Sequence, residues 1–238
     1  MTGTLFGVGV GPGAPDLLTL RAVTVLRAAA VVAAPRATDG GESLALRIAR
    51  EAVGVVPDQE TLPLTFPMTR DAGLRRAARE EAIAVIGARL AAGRSVAFVT
   101  EGDPLLYSTF LDLLFAAPRL GARIEVVPGV SSLTAVAAAA QVPLADGDDR
   151  LAVLPAARAL PDLARLVRDF ETLLLLKAGR HLAELREGLA AYGLAGRAWV
   201  VADASCPGEH VVRLADAEAG ARGYFTTVLV RTRPEGGE

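Results

Sequence analysis

Polar residues follow an apolar run in the segment 96–110. The run itself, residues 96–99, is short and mostly β-branched or aromatic, which predicts a buried strand. Two carboxylates and a phenol follow in the next loop, contributed by Glu101, Asp103 and Tyr107. Because ligands in open α/β sheets bind at the carboxyl ends of strands, this loop predicts a binding site. Its paired carboxylates suit acid–base chemistry.

A glycine-rich loop lies between the first predicted strand and the first predicted helix. Gly9, Gly11 and Ala14 fit the G-x-G-x-x-A pattern of dinucleotide-binding loops. Pro12 and Pro15 stiffen this turn, and the acidic residue expected at the end of the second strand is absent. The alternatives are a tight strand-to-helix turn, or a backbone wall that lets a flat ligand approach closely.

Other predicted strands also end in small or polar residues. These loops are residues 128–132, 177–179 and 203–208. Ser131 or Ser132 is a suitable N-cap for the helix that follows, which alone explains one serine. Together the loops are consistent with a single crevice at the carboxyl ends of the strands.

The composition argues against several classes of protein. The 238 residues are 52% hydrophobic, enough for a sizeable core, and the net charge of -2 argues against nucleic-acid binding by bulk electrostatics. Cys206, His181 and His210 are the only cysteine and histidines, so we predict no metal site. Lys177 is the only lysine among 25 basic residues, and arginine suits carboxylate or phosphate ligands.

The sequence predicts a cytoplasmic protein. Its first residues contain no basic region followed by an apolar stretch, so no signal peptide is predicted. The uncharged segment 126–145 is long enough to span a bilayer, but its prolines, hydroxyls and alanines make it too weakly hydrophobic. A single cysteine fits a reducing compartment.

Strand-like and helix-like segments alternate along the chain, which predicts an α/β fold. In the first half, strands at 5–10, 31–34, 60–64, 96–100 and 123–127 alternate with helices at 16–29, 42–53, 71–92 and 105–115. The alternation continues to a last strand at 225–231. We predict two α/β domains, residues 1–122 and 123–238, with the crossing point at 116–122 or in the following strand.

Three loops, in this order, resemble the pattern of the tetrapyrrole methylases, the class III S-adenosylmethionine-dependent methyltransferases. They are residues 9–13, 102–104 and 128–132. The resemblance covers nearly the whole chain and is strongest in residues 5–155. Within the family, the chain is most similar to the branch that acts on C20 of precorrin-2, with or without cobalt. That similarity rests on residues 42–45, 66–71, 100–104, 107–110 and 147–155.

The resemblance implies a ligand cleft between two α/β domains. The N-terminal domain would form the tetrapyrrole side, and the C-terminal domain would contribute to the S-adenosylmethionine site. By position, the implied cofactor contacts are Pro12, Glu101, Gly102, Asp103, Leu106, Ser131, Ser132, Ala178 and Ala204. Relatives often carry methionine where Ala178 stands. The implied reaction is methylation of C20 of precorrin-2 in cobalamin biosynthesis, with S-adenosylhomocysteine as the second product.

The resemblance also implies how the substrate is held. The loop containing Gly9, Gly11 and Gly13 would wall the tetrapyrrole trough. Three arginines in loops could pair with substrate carboxylates, although surface arginines are an equally good explanation; they are Arg36, Arg70 and Arg150. Glu101, Asp103 and Tyr107 are by position the candidates for a base that removes the C20 proton.

Three alternative functions stay open at the level of sequence. One is another class III methylase, such as a diphthine synthase or a methylase acting later in corrin assembly. The second is an NAD(P)-binding Rossmann protein, and the third is a non-catalytic tetrapyrrole-binding protein. From the family we expect a homodimer, with neither nucleic-acid nor membrane partners.

Overall fold

The computed structural model describes residues 2–36, 41, 43–67, 69, 71–218 and 223–233. It divides into two compact units, Met1–Ser131 and Ser132–Glu238. Each unit contains one five-stranded sheet with helices packed against it. The predicted α/β class with two sheets is therefore confirmed.

The sheet of the first unit is parallel throughout, in the order β3-β2-β4-β1-β5. Its strands are β1 (Thr4–Gly9), β2 (Val31–Arg36), β3 (Glu60–Thr65), β4 (Val96–Thr100) and β5 (Arg123–Val127). Every residue of β4 is buried, as its continuous apolar run predicts for a central parallel strand. Because all five strands run the same way, their carboxyl ends lie along one edge of the sheet.

Helices cover both faces of this sheet. They are α1 (Leu20–Ala28), α2 (Leu44–Val53), α3 (Ala72–Ala91), α4 (Phe110–Phe115) and α5 (Ala117–Leu120). Side chains alternate along β4, so Ala97 and Val99 pack with α1 and α2, whereas Val96 and Phe98 pack with α3 and α4. The side chains of Thr19, Ser43 and Asp71 cap α1, α2 and α3.

Two predicted helices are shorter than expected. The helix predicted at 105–115 begins only at Phe110, because Tyr107 adopts a left-handed backbone with φ 53°, which no α-helix can contain. The Ser108 hydroxyl accepts a hydrogen bond from the Phe110 amide at 3.1 Å at the start of the observed helix. The helix predicted at 16–29 is a short 3₁₀ turn, Pro15–Leu17, followed by α1.

The boundary between the units lies later than predicted. β5 pairs in parallel with β1 from Thr4 to Val8, so it completes the first sheet instead of opening the second domain. The first unit therefore continues through Ser131, whereas the sequence predicted domains of residues 1–122 and 123–238, with the crossing point at 116–122 or in the following strand. Hydrophobic patterning identifies β5 as a strand, but it does not reveal which sheet the strand joins.

The second unit contains a mixed sheet in the order β6-β7-β10-β8-β9. Its strands are β6 (Leu151–Pro155), β7 (Thr172–Leu176), β8 (Ala198–Ala202), β9 (His210–Arg213) and β10 (Thr226–Arg231). β10 is antiparallel to both β7 and β8, so those two strands run in the same direction. The carboxyl ends of β7 and β8 therefore lie at one edge of the sheet, together with the amino end of β10.

Helices of the second unit pack on both faces of its sheet. They are α6 (Ser132–Ala140), α7 (Ala156–Ala159), α8 (Leu163–Asp169) and α9 (Leu182–Ala190). Leu174 and Trp199 face α6, while Leu173 and Leu175 face α7, α8 and α9. Among the described residues, no helix is long and apolar enough to cross a membrane, and the uncharged segment 126–145 contributes only the nine residues of α6 to a helix.

Candidate active site

Three loops of the first unit meet at the carboxyl edge of its sheet. They follow β1, β4 and β5, which are neighbours in the order β4-β1-β5. The amide of Gly102 donates a hydrogen bond of 2.8 Å to the carbonyl of Gly11, forming an isolated antiparallel bridge. Both glycines have positive φ, 64° and 78°, a conformation that side chains disfavour. The sequence-predicted loops are thus brought together in one place.

A glycine from each loop contributes to a close backbone junction. A Cβ atom at Gly129 would lie 2.0 Å from the Gly102 carbonyl oxygen and 2.8 Å from the Gly9 Cα. A Cβ atom at Gly9 would lie 2.5 Å from that same oxygen and 2.6 Å from the Gly129 Cα. Backbone from the neighbouring loops therefore occupies the space beside Gly9. The structure explains Gly9 by loop packing, and it does not support the prediction that Gly9 contacts the substrate.

Asp103 ties two of these loops together. One carboxylate oxygen accepts a hydrogen bond from the Gly129 amide at 3.1 Å, and the other accepts one from the Leu105 amide at 2.9 Å. The Leu106 amide donates to the Asp103 carbonyl at 3.2 Å, which closes the turn. Since backbone amides already occupy both oxygens, Asp103 is poorly suited to remove a proton. Its geometry is that of a positioning residue.

Glu101 faces the amino end of α2. Its Oε1 accepts a hydrogen bond of 3.2 Å from the amide of Ala45, the second residue of that helix. The Ser43 hydroxyl accepts from the Leu46 amide at 3.4 Å. This contact satisfies one of the amides that the first turn of a helix leaves without a backbone partner. One carboxylate oxygen of Glu101 is thus fixed to the amino end of α2.

Tyr107 has a strained backbone conformation in the loop between β4 and α4. Its φ of 53° is unusual for a residue with a side chain, and its side chain is about half exposed. Residues held in such conformations concentrate at ligand sites, since the surrounding structure must offset the strain. The Ser108 hydroxyl donates to that of Thr100 at 3.0 Å and so fixes the segment to β4.

The second unit places further predicted cofactor residues at one edge of its own sheet. Ala178 follows β7 and is fully buried; Ala204 follows β8 and is 8% exposed. Positive φ recurs in these two loops, at Lys177 (56°), Asp203 (51°) and Ser205 (61°). The other two predicted residues lie where the units meet along the chain, since Ser132 opens α6 and Ser131 precedes it.

Sequence reasoning missed an aromatic pair at that edge of the second unit. Tyr224 and Phe225 precede β10, are about half exposed, and pack edge to face with ring centroids 5.4 Å apart. The Asp203 amide donates to the Phe225 carbonyl at 3.0 Å, and the Lys177 Nζ lies 5.3 Å from the Tyr224 ring centroid. No sequence signal marks this pair, because its position depends on β10 inserting between β7 and β8.

The predicted substrate arginines lie in different parts of the chain and differ in their contacts. Arg36 ends β2 at the carboxyl edge of the first sheet, and its Nε donates to the Thr65 hydroxyl at 3.3 Å. Arg70 lies outside the described residues. Of the three arginines, the structure thus supports only Arg36 as a residue at the carboxyl edge of the sheet, where the glycine loops lie.

Gly11 and Gly13, the other predicted substrate-binding glycines, are buried in the first loop, and Pro12 between them is half-buried.

The prediction for Arg150 requires correction. Arg150 precedes β6, so it lies at the edge of the second sheet opposite Ala178 and Ala204. Its guanidinium binds both carboxylate oxygens of buried Glu171, at 3.1 and 3.2 Å, and its amide donates a third hydrogen bond at 2.8 Å. These hydrogen bonds lower the pKa of Glu171 to about 2. Arg150 therefore stabilises the second unit through Glu171, and the structure does not support it as a substrate contact.

Fold and site together define a two-domain α/β protein with small-residue loops at the strand ends of both sheets. The family model for Tetrapyrrole (Corrin/Porphyrin) Methylases matches residues 4–218. The chain therefore belongs to the tetrapyrrole methylases, and it is an S-adenosylmethionine-dependent tetrapyrrole C-methyltransferase. This assignment confirms the predicted family and excludes the NAD(P)-binding alternative.

Curated relatives match almost the whole chain. It is 36% identical to the cobalt-precorrin-2 C(20)-methyltransferase of Salmonella typhimurium, covering 99% of each chain. It is 37% identical to the precorrin-2 C(20)-methyltransferase of a Sinorhizobium species, covering 96% of this chain and 95% of the relative. A solved structure of Thermus thermophilus uroporphyrin-III C-methyltransferase with S-adenosyl homocysteine superposes with TM-score 0.68 and 25% identity, covering 96% and 97%.

The residues present fit S-adenosylmethionine. The strand-end positions predicted to hold it carry small residues in each unit, Gly102 in the first and Ala178 and Ala204 in the second, and small residues let a ligand approach the backbone closely. A positively charged sulfonium loses its charge during methyl transfer, so a tight ion pair with the protein would favour the ground state over the transition state. Backbone and small side chains are therefore the appropriate chemistry for these contacts.

Proposed function

We propose that this chain transfers a methyl group to C20 of precorrin-2 in cobalamin biosynthesis. The observation that carries the proposal is the match, over almost the whole chain, to two relatives named for this reaction. The loop containing Glu101, Gly102, Asp103 and Tyr107 supports it, because these residues carry the sequence similarity to that branch of the family. The two relatives differ in whether the substrate contains cobalt, and their identities of 36% and 37% favour neither form.

The proposed roles of the residues follow from their contacts. S-adenosylmethionine supplies an activated methyl group when bound. Asp103 and the glycine junction fix the first-unit loops, whose Pro12, Gly102, Leu106 and Ser131 we propose as cofactor contacts. Holding reacting atoms at near contact contributes about 7–11 kcal/mol to lowering a barrier. Tyr107 and Arg36 lie at the same sheet edge and are proposed to contact the tetrapyrrole.

The proposal is tested by supplying purified protein with methyl-labelled cofactor and with precorrin-2, either metal-free or loaded with cobalt. Mass spectrometry of the products then reports whether each form gains one methyl group. We expect methylation of at least one form, at a rate that identifies the natural substrate. A protein that binds the cofactor but methylates neither form would reject C20 methylation and favour another substrate of the family.

Glu101 is the carboxylate we propose as the base for the C20 proton. Changing Glu101 to glutamine keeps an oxygen for the Ala45 amide, so α2 should remain in place while the basic group is lost. We expect kcat to fall by about 10²–10⁴-fold, the usual contribution of a general base, and affinity for S-adenosylhomocysteine to change far less, because glutamine keeps the size and the carbonyl oxygen of the side chain. Steady-state kinetics and calorimetric titration check the two parts. Full activity of E101Q would eliminate Glu101 as the base.

A further inference from the structure

The segment between Tyr107 and α4 is fixed to the first sheet by a pair of hydroxyl groups. Side chains alternate along β4, so Thr100 lies on the same face of the sheet as Phe98, the face on which α4 packs. The Ser108 hydroxyl donates to the Thr100 hydroxyl at 3.0 Å and accepts from the Phe110 amide at 3.1 Å. Because Thr100 ends β4 and is only 4% exposed, the pair connects the segment to a buried strand.

The ring of Phe110 fixes the same segment a second time. The ring is fully buried and lies directly against Gly7 of β1, where a Cβ atom would overlap it. It also packs against Phe98 of β4, with ring centroids 6.2 Å apart. Gly7 and Phe98 are paired residues of neighbouring strands, so two strands hold the ring. The start of α4 therefore has little freedom to move relative to the sheet.

Tyr107 immediately precedes this fixed segment, and its side chain is 51% exposed. Its φ of 53° places a bulky residue in the left-handed region, where a side chain crowds the backbone and glycine is preferred. A free loop would seldom adopt this conformation, so the surrounding contacts must stabilise it. The contacts of Ser108 and Phe110 set the direction of the chain directly after Tyr107 and so supply that stabilisation.

We propose that Thr100 and Ser108 are positioning residues for substrate binding, and that their hydroxyl pair acts through Tyr107. The inference rests on the proposed contact between Tyr107 and the tetrapyrrole, and it identifies what holds that contact in place. A side chain already held in its bound conformation binds a ligand more tightly, because less conformational entropy is lost on binding. The pyrrole-derived rings of the substrate offer unsaturated faces against which an aromatic ring packs.

The test compares two substitutions of Thr100 that remove different parts of its side chain. T100V removes the hydroxyl and keeps the size, whereas T100S keeps the hydroxyl and removes a buried methyl group. Ser108 is left unchanged because it also accepts from the Phe110 amide. Fluorescence titration with uroporphyrin III, a stable porphyrin, measures binding of a tetrapyrrole, and calorimetric titration measures binding of S-adenosylhomocysteine.

For T100V we expect binding of uroporphyrin III about three- to tenfold weaker than for the wild type, the usual effect of losing one hydrogen bond. Its affinity for S-adenosylhomocysteine should change far less. T100S should bind the porphyrin like the wild type, although the lost methyl group lowers its thermal unfolding midpoint. If Thr100 served only packing, the order would be reversed, and T100S would bind the porphyrin more weakly than T100V.

Y107G shows whether the hydroxyl pair acts through Tyr107. Glycine adopts the left-handed conformation without strain and lacks the ring. Y107G should therefore bind uroporphyrin III at least as weakly as T100V, and adding T100V to Y107G should cause no further loss. T232V is the matched control, because the part-buried Thr232 hydroxyl donates to the Phe170 carbonyl at 2.8 Å in the second unit. Its loss should leave porphyrin binding unchanged.

Four results would overturn the proposal. They are wild-type porphyrin affinity in T100V, weaker binding by T100S than by T100V, a loss in T100V/Y107G that multiplies the losses of the single variants, and a loss in T232V equal to that in T100V. A wild-type protein that does not bind uroporphyrin III would overturn it as well. Since the titration involves no methyl transfer, binding that depends on Thr100 through Tyr107 without precorrin-2 methylation would reject only the proposed function.

Discussion

Replacing Gly129 with alanine is expected to lower kcat/KM by at least about a hundredfold. The added Cβ would lie 2.0 Å from the Gly102 carbonyl oxygen, so the loops after β4 and β5 must move apart. Overpacking of this kind costs about 1–3 kcal/mol of stability, and displacing groups that position substrate by about 1 Å costs about 10²-fold in rate. Steady-state kinetics with labelled cofactor and thermal unfolding measure the two effects.

G196A is the control for this substitution. A Cβ atom at Gly196 meets nothing within 4 Å, and its φ is not in the left-handed region, so alanine there should leave activity unchanged. If G129A retained wild-type kinetics, the close packing of Gly9, Gly102 and Gly129 would not be required for catalysis. A folded G129A protein with weakened affinity for S-adenosylhomocysteine would support it most specifically.

Replacing Asp103 with alanine should weaken S-adenosylhomocysteine binding by about ten- to a hundredfold. The change leaves the part-buried amide of Gly129 without its acceptor, at about 1–3 kcal/mol, whereas water can replace the acceptor of the exposed Leu105 amide. Asparagine keeps one carbonyl acceptor, so the affinity of D103N for S-adenosylhomocysteine should lie between those of D103A and the wild type. Calorimetric titration and kcat are measured on all three proteins, with D148N, a change at an exposed aspartate, as control.

The comparison of D103N with D103A separates positioning from proton transfer. If Asp103 removed the C20 proton, both variants would lose kcat to the same extent while cofactor affinity stayed constant. The structure favours the opposite pattern, in which affinity declines in steps as acceptors are lost. Equal, complete loss of kcat with intact affinity would restore Asp103 as the base.

The sequence locates the site through local features. The apolar run of β4 and the glycine after it identify a strand end. That strand is buried, as predicted, and the structure places it at the centre of the sheet. The three loops recognised by their motifs do converge, because parallel strands bring their carboxyl ends to one edge. Such local patterns determine elements and the sheet edge on which their loops lie.

The remaining features depend on contacts between distant residues. In the sequence, Asp103 is a candidate catalytic carboxylate. In the structure, its two oxygens accept hydrogen bonds from the amides of Leu105 and Gly129. In the sequence, Arg150 is a loop arginine that could bind a substrate carboxylate. In the structure, it binds the carboxylate of Glu171, which follows α8. The insertion of β10 between β7 and β8 places Phe225 beside Asp203 and Tyr224 beside Lys177, and no local pattern encodes that pairing.

Locating the transferred methyl group tests the central claim most directly. Protein incubated with methyl-labelled S-adenosylmethionine and precorrin-2, with and without cobalt, gives a product whose labelled position nuclear magnetic resonance can assign. We predict a single labelled methyl group, attached to C20. A label at any other carbon of the macrocycle, or an unlabelled substrate recovered from protein that binds the cofactor, would contradict it.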